Sequence, residues 1–347
     1  MNAVRSHSVA EIVAAGLGAR YTAAVLRIER AGRPVFEHAF GRCGAAPDEP
    51  AVTVTTRFDL ASLTKVFVAT SALEAVPAGR TRLDDPACAH LEEWRGTAHE
   101  PITLRMLLAH TAGLKSGADY RTLFAESVER YALLCPLVAA PGSRVVYSDL
   151  GFIALGVLLA RIARSSLATV FAGTARRLEL EGTSFRPRND DPRTIPATEE
   201  DAWRGRVRGS VHDEKASMMN GVAGHAGLFG TARDVAAIAE RYLGAAHGRG
   251  DDAFSRTVAR EAIAEAGADP VLRRGLGWAL KTSDDNSCGA LMDRSTFGHT
   301  GFTGTCVWAD PVRDLSVVLL TNAVYYGRND LRPVRAAVCD AAVREFG

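Results

Sequence analysis

The chain has 347 residues, with 41 Lys plus Arg against 40 Asp plus Glu and a formal net charge of +1. That length holds a sizeable core in one large domain or two closely joined ones. The balanced charge, with no basic run interleaved with aromatics, argues against nucleic acid or an anionic membrane as partner. The best uninterrupted apolar run, residues 152–160, stops at Arg161, short of a bilayer span. Six cysteines (Cys43, Cys88, Cys135, Cys288, Cys306 and Cys339) form no C-x-x-C pair and read as free thiols. With no apolar signal region before Arg20, a cytoplasmic protein is expected, unless a leader has been removed.

In chain order, residues 8–18 read as a short amphipathic helix with Val9, Ile12, Val13 and Leu17 on one side. Residues 21–30 and 35–40, joined by a turn at Gly32, read as an antiparallel hairpin. Helices are expected over 103–109, 120–134, 150–163, 167–180 and 232–246. Residues 184–211, poor in apolar side chains and rich in Pro and charge, read as a long surface excursion of the kind that often lines a cleft. Strands return at 277–281, 297–301, 304–309 and 315–322, and residues 330–346 form a closing amphipathic helix. The pattern predicts an α/β fold whose sheet is built by both chain ends (1–83 and 251–347), with a helical domain (84–250) inserted and the site at their interface.

The stretch that organises the chain is Leu60 to Phe67. Ser62 and Lys65 stand at i, i+3, so in a helix start the amine reaches the hydroxyl. A serine there also faces the positive end of the helix dipole. A hydroxyl with a basic partner and nearby backbone donors is what nucleophilic catalysis by serine requires. A solvated lysine at an exposed helix start is the plain alternative. Against it, the chain has only four lysines (Lys65, Lys115, Lys215 and Lys281), arginine supplying the other 37 basic residues, and Lys65 enters an apolar run free of Gly and Pro.

Tyr147-Ser148-Asp149 precedes the helix at Leu150. Ser148 or Asp149 is a natural N-cap, and that alone accounts for both. A phenol beside a lysine ammonium can instead act as general base toward a serine, which gives Tyr147 a role. In Gly298-His299-Thr300-Gly301-Phe302-Thr303-Gly304, the glycines mark either a plain edge turn or a strand approached by a ligand. In the second case the Phe302 N–H joins that of Ser62 as an oxyanion donor, and His299 and Thr300 face substrate. Residues 221–228 form a second glycine-dense loop, too irregular for a dinucleotide fingerprint, and read as a cleft wall. His110 reads as a hydrogen-bonded structural histidine. No metal-ligand spacing stands out, and neither metal nor cofactor is expected.

Ser62-x-x-Lys65, Tyr147-Ser148-Asp149 and His299-Thr300-Gly301, in that order, resemble the motifs of the serine β-lactamase and penicillin-binding-protein-like family, and within it class C-like esterases and D-aminopeptidases. Residues 107–114 resemble its LLxHTSGL segment, and Gly224-His225-Ala226-Gly227-Leu228-Phe229 its glycine loop. The resemblance runs from about residue 20 to 345 and implies a β-lactamase/transpeptidase-like fold. It also implies Ser62 as acylated nucleophile, Lys65 as activator, Tyr147 as acid/base, the Ser62 and Phe302 N–H groups as oxyanion hole, and Asp149, His225, His299, Thr300 and Gly301 against substrate.

Two departures bear on substrate. Asp149 replaces the family's Asn, and an ionised carboxylate donates no hydrogen bond. His299 replaces the Lys of Lys-Thr-Gly, weakening the fixed positive charge for a substrate carboxylate, because a histidine with pKa about 6.5 is mostly neutral at cytosolic pH. These features favour a small neutral ester or amide over a β-lactam or cell-wall substrate. The expected activity is hydrolysis of carboxylic esters through acyl-Ser62. The alternatives are a transacylase passing the acyl group to an amine or alcohol, a D-aminopeptidase or weak β-lactamase, and a non-catalytic binding module. Oligomeric state is not readable from the sequence.

Overall fold

The computed structural model describes residues 7–119, 127–187, 190–249, 255–267, 269 and 273–347. Ser8 opens α1 (Val9–Ala15) through a capping box, its Oγ accepting from the Glu11 N–H while the Glu11 carboxylate accepts from the Ser8 N–H. β1 (Ala23–Arg30) and β2 (Arg33–Gly41) form the expected hairpin, with a bulge between Ile28 and Glu29. The chain then leaves the sheet through β3 (Phe58–Asp59), a 3-10 turn at Ala61–Leu63, and α2 (Thr64–Ala75). Ser62 therefore sits on a tight turn feeding a helix, two residues before the helix proper.

α3 (Leu104–Leu108), α4 (Val128–Leu134), α5 (Asp149–Ala163) and α6 (Leu167–Arg177) follow, with Thr103, Ser127, Ser148 and Ser166 each accepting a first-turn N–H as N-cap. The helix expected over 120–134 is seen from Val128, and residues 120–126 lie outside the described residues. The excursion carries β4 (Ser184–Phe185) and a small hairpin of β5 (Glu200–Asp201) and β6 (Gly205–Arg206). α7 (Glu214–Met218) and β7 (Leu228–Gly230) come next, and β3, β7 and β4 pair as a second, three-stranded sheet. Strands of two or three residues carry no readable alternation, so nothing in the sequence announces that sheet.

The chain returns through α8 (Ala232–Ala246), α9 (Arg256–Ile263), β8 (Ala279–Leu280), β9 (Phe297–Thr300), β10 (Cys306–Asp310), β11 (Leu315–Thr321) and α10 (Arg332–Phe346). The main sheet has six strands in the order β2-β1-β11-β10-β9-β8, antiparallel throughout, with Val25 of β1 opposite Leu320 of β11. The two ends of the chain thus meet at the centre of the sheet, as expected.

β11 is buried at every position because both sheet faces are covered. Val318 and Leu320 face the core shared with α2, α5 and α8, while Val317 and Leu319 face the core under α1 and α10. Each fully buried Val or Leu contributes roughly 1.5–3 kcal/mol. α8, expected within the helical region 84–250, packs on β1, β10 and β11 instead, so the helical region ends before it. Its apolar stripe (Val235, Ile238, Ala239 and Tyr242) is what the sheet face needed. Ala23 and Val25 of β1 share one hydrophobic cluster with Phe152 and Leu155 of α5, so no solvent layer divides sheet from helices. Among the described residues no single helix is long and apolar enough to cross a membrane.

Candidate active site

The turn bearing Ser62 is held from several sides. Ala61 adopts φ +46°, a left-handed conformation that L side chains rarely take. Its N–H donates to Asp59 Oδ1 at 2.8 Å, and Asp59 Oδ2 accepts the His212 N–H at 2.6 Å. Thr303 Oγ1 donates to the Asp59 carbonyl at 2.8 Å and Thr305 Oγ1 to the Leu60 carbonyl at 3.2 Å. A Cβ on Gly301 would lie 2.6 Å from the Leu60 carbonyl oxygen, so only glycine lets the end of β9 approach this turn. A strained backbone persists when its surroundings over-determine it, and strain of this kind clusters at functional sites.

Lys65 lies one turn along and is fully buried. Its Nζ is 2.9 Å from Ser62 Oγ, 2.8 Å from Asp149 Oδ1 and 3.2 Å from the His225 carbonyl oxygen. Burial works against its charge, but the Asp149 carboxylate and the Tyr147 phenol outweigh burial and raise its pKa above the ordinary lysine value. Lys65 is therefore an ammonium at neutral pH and has no lone pair with which to take the serine proton. The carbonyl it meets arrives on the glycine loop. A Cβ on Gly224 would lie 1.8 Å from the Phe152 carbonyl oxygen, so glycine lets this loop lie flat on α5.

Tyr147 precedes α5, and His110 fixes it there: the Ser148 N–H donates to His110 Nδ1 at 3.1 Å and the Val146 N–H to the His110 carbonyl at 2.8 Å. His110 is thus structural, as expected. The Tyr147 ring lies 5.0 Å from Lys65 Nζ and 6.0 Å from the His299 ring. On His299, Nδ1 pairs with the Thr300 carbonyl at 2.9 Å, leaving Nε2 buried without a partner. Burial, then the nearby Arg274 and Lys65 charges, hold the His299 pKa well below its usual value, so this imidazole is neutral.

Ser62, Tyr147, His299, Thr300, Gly301 and Phe302 line one pocket of about 440 Å³. The N–H groups of Ser62 and Phe302 have no acceptor among the described residues, which leaves them available to an oxyanion. Three arginines join the wall. Arg328 is committed to Glu199 and Glu214. Arg274 and Arg335 are buried, and neither has a carboxylate within ion-pair distance among the described residues. Arg274 lies over the Tyr147 ring at 5.0 Å, and Arg335 donates to the Gly301 carbonyl at 2.8 Å. The Nε of each is unpartnered. Among the described residues the wall carries one carboxylate, Asp330, which is exposed and lies near Arg332.

Two expected contacts are corrected. Asp149 is absent from the pocket wall, because Lys65 and Lys215 hold both its oxygens. His225 is buried behind Lys65 with Nε2 2.8 Å from Asp213 Oδ1. Asp149, Asp213 and His225 bring their donor atoms within 4.8 Å of one another, a spacing open to a metal ion, but the Lys215 ammonium already lies 3.1 Å from Asp213 and 3.5 Å from Asp149. Lys215 was legible as one of four lysines in the chain, the same scarcity that singles out Lys65. Arg274 and Arg335, two among many arginines, carried no such signal.

The Beta-lactamase family model matches residues 9–339. The chain belongs to the Beta-lactamase family. Among curated members, a putative D-alanyl-D-alanine carboxypeptidase of Escherichia coli O157:H7 is 31% identical over 309 residues, covering 78% of this chain and 70% of its own. An N-acetylmuramyl-L-alanine amidase of Bacillus subtilis (strain 168) is 28% identical over 355 residues, covering 90% and 80%. Among solved structures, EstCE1, a hydrolase with promiscuous acyltransferase activity, superposes with a TM-score of 0.79 at 22% identity over 95% of this chain and 97% of its own. The fold is β-lactamase/transpeptidase-like, and this family member is a serine hydrolase by membership.

Proposed function

We propose that this Beta-lactamase family member hydrolyses carboxylic esters through an acyl-Ser62 intermediate. The observation that carries the reading is Lys65 Nζ at 2.9 Å from Ser62 Oγ, with Ser62 and Tyr147 lining one pocket and Lys65 buried behind it. Lys65, held as an ammonium, orients the hydroxyl and stabilises negative charge on it. Tyr147 takes the Ser62 proton as Oγ bonds to the acyl carbon, and returns it to the leaving group as that bond breaks. The Ser62 and Phe302 N–H groups carry the oxyanion. Water then repeats the sequence on the acyl-enzyme; an amine or alcohol in its place makes the protein a transacylase.

A second reading has its own observation. Arg274 and Arg335 put two buried guanidiniums on the wall with no carboxylate within ion-pair distance among the described residues, and an arginine stays charged even when buried. His299 supplies no positive charge, but these two do. This favours an ester or amide that carries a carboxylate, such as a peptide end, over the neutral substrate that His299 alone suggested. A relative named as a putative D-alanyl-D-alanine carboxypeptidase, an activity at a peptide end, supports this reading.

The test compares a neutral p-nitrophenyl ester, the same ester with a terminal carboxylate, and an N-acylated D-alanyl-D-alanine, each with wild type and Ser62→Ala. Ser62-dependent turnover of either ester supports the acyl-serine hydrolase. Preference for the carboxylate-bearing pair selects the second reading. Turnover unaffected by Ser62→Ala sinks both.

A further inference from the structure

Behind the nucleophile the charges close into a ring. Lys65 Nζ meets Asp149 Oδ1 at 2.8 Å, and Asp149 Oδ2 meets Lys215 Nζ at 3.5 Å. Lys215 Nζ meets Asp213 Oδ2 at 3.1 Å, and Asp213 Oδ1 meets His225 Nε2 at 2.8 Å. The His225 carbonyl oxygen returns to Lys65 Nζ at 3.2 Å. The five residues come from α2, the start of α5, the cap and first turn of α7, and the glycine loop. Lys65 and His225 are about 99% or more buried, and the remaining side chains are 11–22% exposed.

Charges in such a place need partners, because removing one partner of a buried pair leaves the other uncompensated. Two carboxylates share the ring. Lys65 alone cannot serve Asp149, Ser62 and the desolvation of its own burial while Asp213 stands beside Asp149 with like charge. Lys215 resolves this by bridging both acids.

We propose that Lys215, seated by Asp213, is a positioning residue for acyl transfer: it neutralises Asp149 so that Asp149 holds Lys65 against Ser62. The inference rests on the acyl-Ser62 reading and deepens it. It also accounts for the Asp149 departure. An Asn at this position is neutral and needs no second cation, whereas an Asp does, so residues 149 and 215 form one functional unit.

The groups facing Asp149 from every packed element are Lys65 on α2, Lys215 on α7, Asp213 at its cap and His225 on the glycine loop. Burial works to raise the Asp149 pKa, and the cations around it bring it below the usual carboxylate value. With Lys215 gone, one of those cations is lost and the Asp149 carboxyl takes a proton at higher pH.

The experiment is a double-mutant cycle on p-nitrophenyl acetate hydrolysis with wild type, Lys215→Met, Asp149→Asn and the protein carrying both, read as kcat, KM and the acid limb of kcat/KM. A displaced catalytic group costs about 10²-fold, so Lys215→Met should lose kcat on that order with KM little changed, its acid limb moving to higher pH. In the Asp149→Asn background the same substitution should cost little and move no limb. Equal losses in both backgrounds would overturn the proposal. If Lys215→Met does not fold, the Asp149→Asn pair alone decides: equal kcat with and without Lys215 supports it, and a further large loss overturns it. Turnover that survives Ser62→Ala refutes the acyl-serine reading itself and is distinguishable from every outcome above.

Discussion

The guanidinium of Arg274 lies over the ring of Tyr147, 5.0 Å from its centroid, with Nε unpartnered and no carboxylate in reach among the described residues. Such a group is costly to bury unless something outside the protein completes it. On the second reading proposed above, a substrate carboxylate completes it. Arg274→Met should lower kcat/KM for the carboxylate-bearing ester about 10–100-fold, the worth of a hydrogen bond to a charged group, mainly through KM. The neutral ester should change far less. Equal losses on the two esters would assign Arg274 to supporting Tyr147 instead of binding substrate.

Asp59 is the fastener of the nucleophile turn. Asp59→Ala strips the acceptor from the Ala61 and His212 N–H groups, and each buried unsatisfied donor costs about 1–3 kcal/mol. Asp59→Asn keeps one acceptor and should lose roughly half as much. Chemical denaturation gives the ordering, wild type above Asn above Ala, and kcat should fall in the same order as the Ala61 backbone relaxes. An Ala substitution with unchanged stability would show that Thr303 and Thr305 hold the turn without it.

Most of the architecture was legible because periodicity and caps carried it. The hairpin, the buried run of β11, the capped helix α5 and the stripe of α8 all follow from apolar spacing. The pairing of β3, β7 and β4 was not, since strands this short have no period. In the candidate site, motifs of known spacing pointed to Ser62, Lys65, Tyr147, His299 and Gly301, which the structure brings together. Asp149 and His225 were expected against substrate, but Lys65 and Lys215 claim the first and Asp213 the second, because a motif gives position along the chain and not which neighbour claims the side chain. Asp213 and Arg274 reach the site through tertiary packing, which local sequence does not encode.

The two buried histidines predict a pH dependence of stability. Burial, then nearby positive charge, holds both His110 and His299 well below the usual histidine pKa. Above about pH 6.5 folded and unfolded states both keep them neutral; below it the unfolded chain takes protons that the folded protein refuses. Their contribution is therefore fully present above about pH 6.5 and is lost as pH falls from there toward their depressed folded values. Urea midpoints at pH 7.5 and 5.5 should show the decline, and His299→Gln should make it shallower. An unchanged slope in that variant would mean that His299 takes its proton as readily in the fold as in the unfolded chain.

The central claim is that Ser62 carries the acyl group. Intact-mass spectrometry after brief exposure to p-nitrophenyl acetate, wild type beside Ser62→Ala, tests it most directly. One acetyl adduct is expected on wild type and none on Ser62→Ala, with clearance of the adduct on standing in water or faster with added amine. Equal adducts on both proteins, or turnover by Ser62→Ala at the wild-type rate, would contradict it.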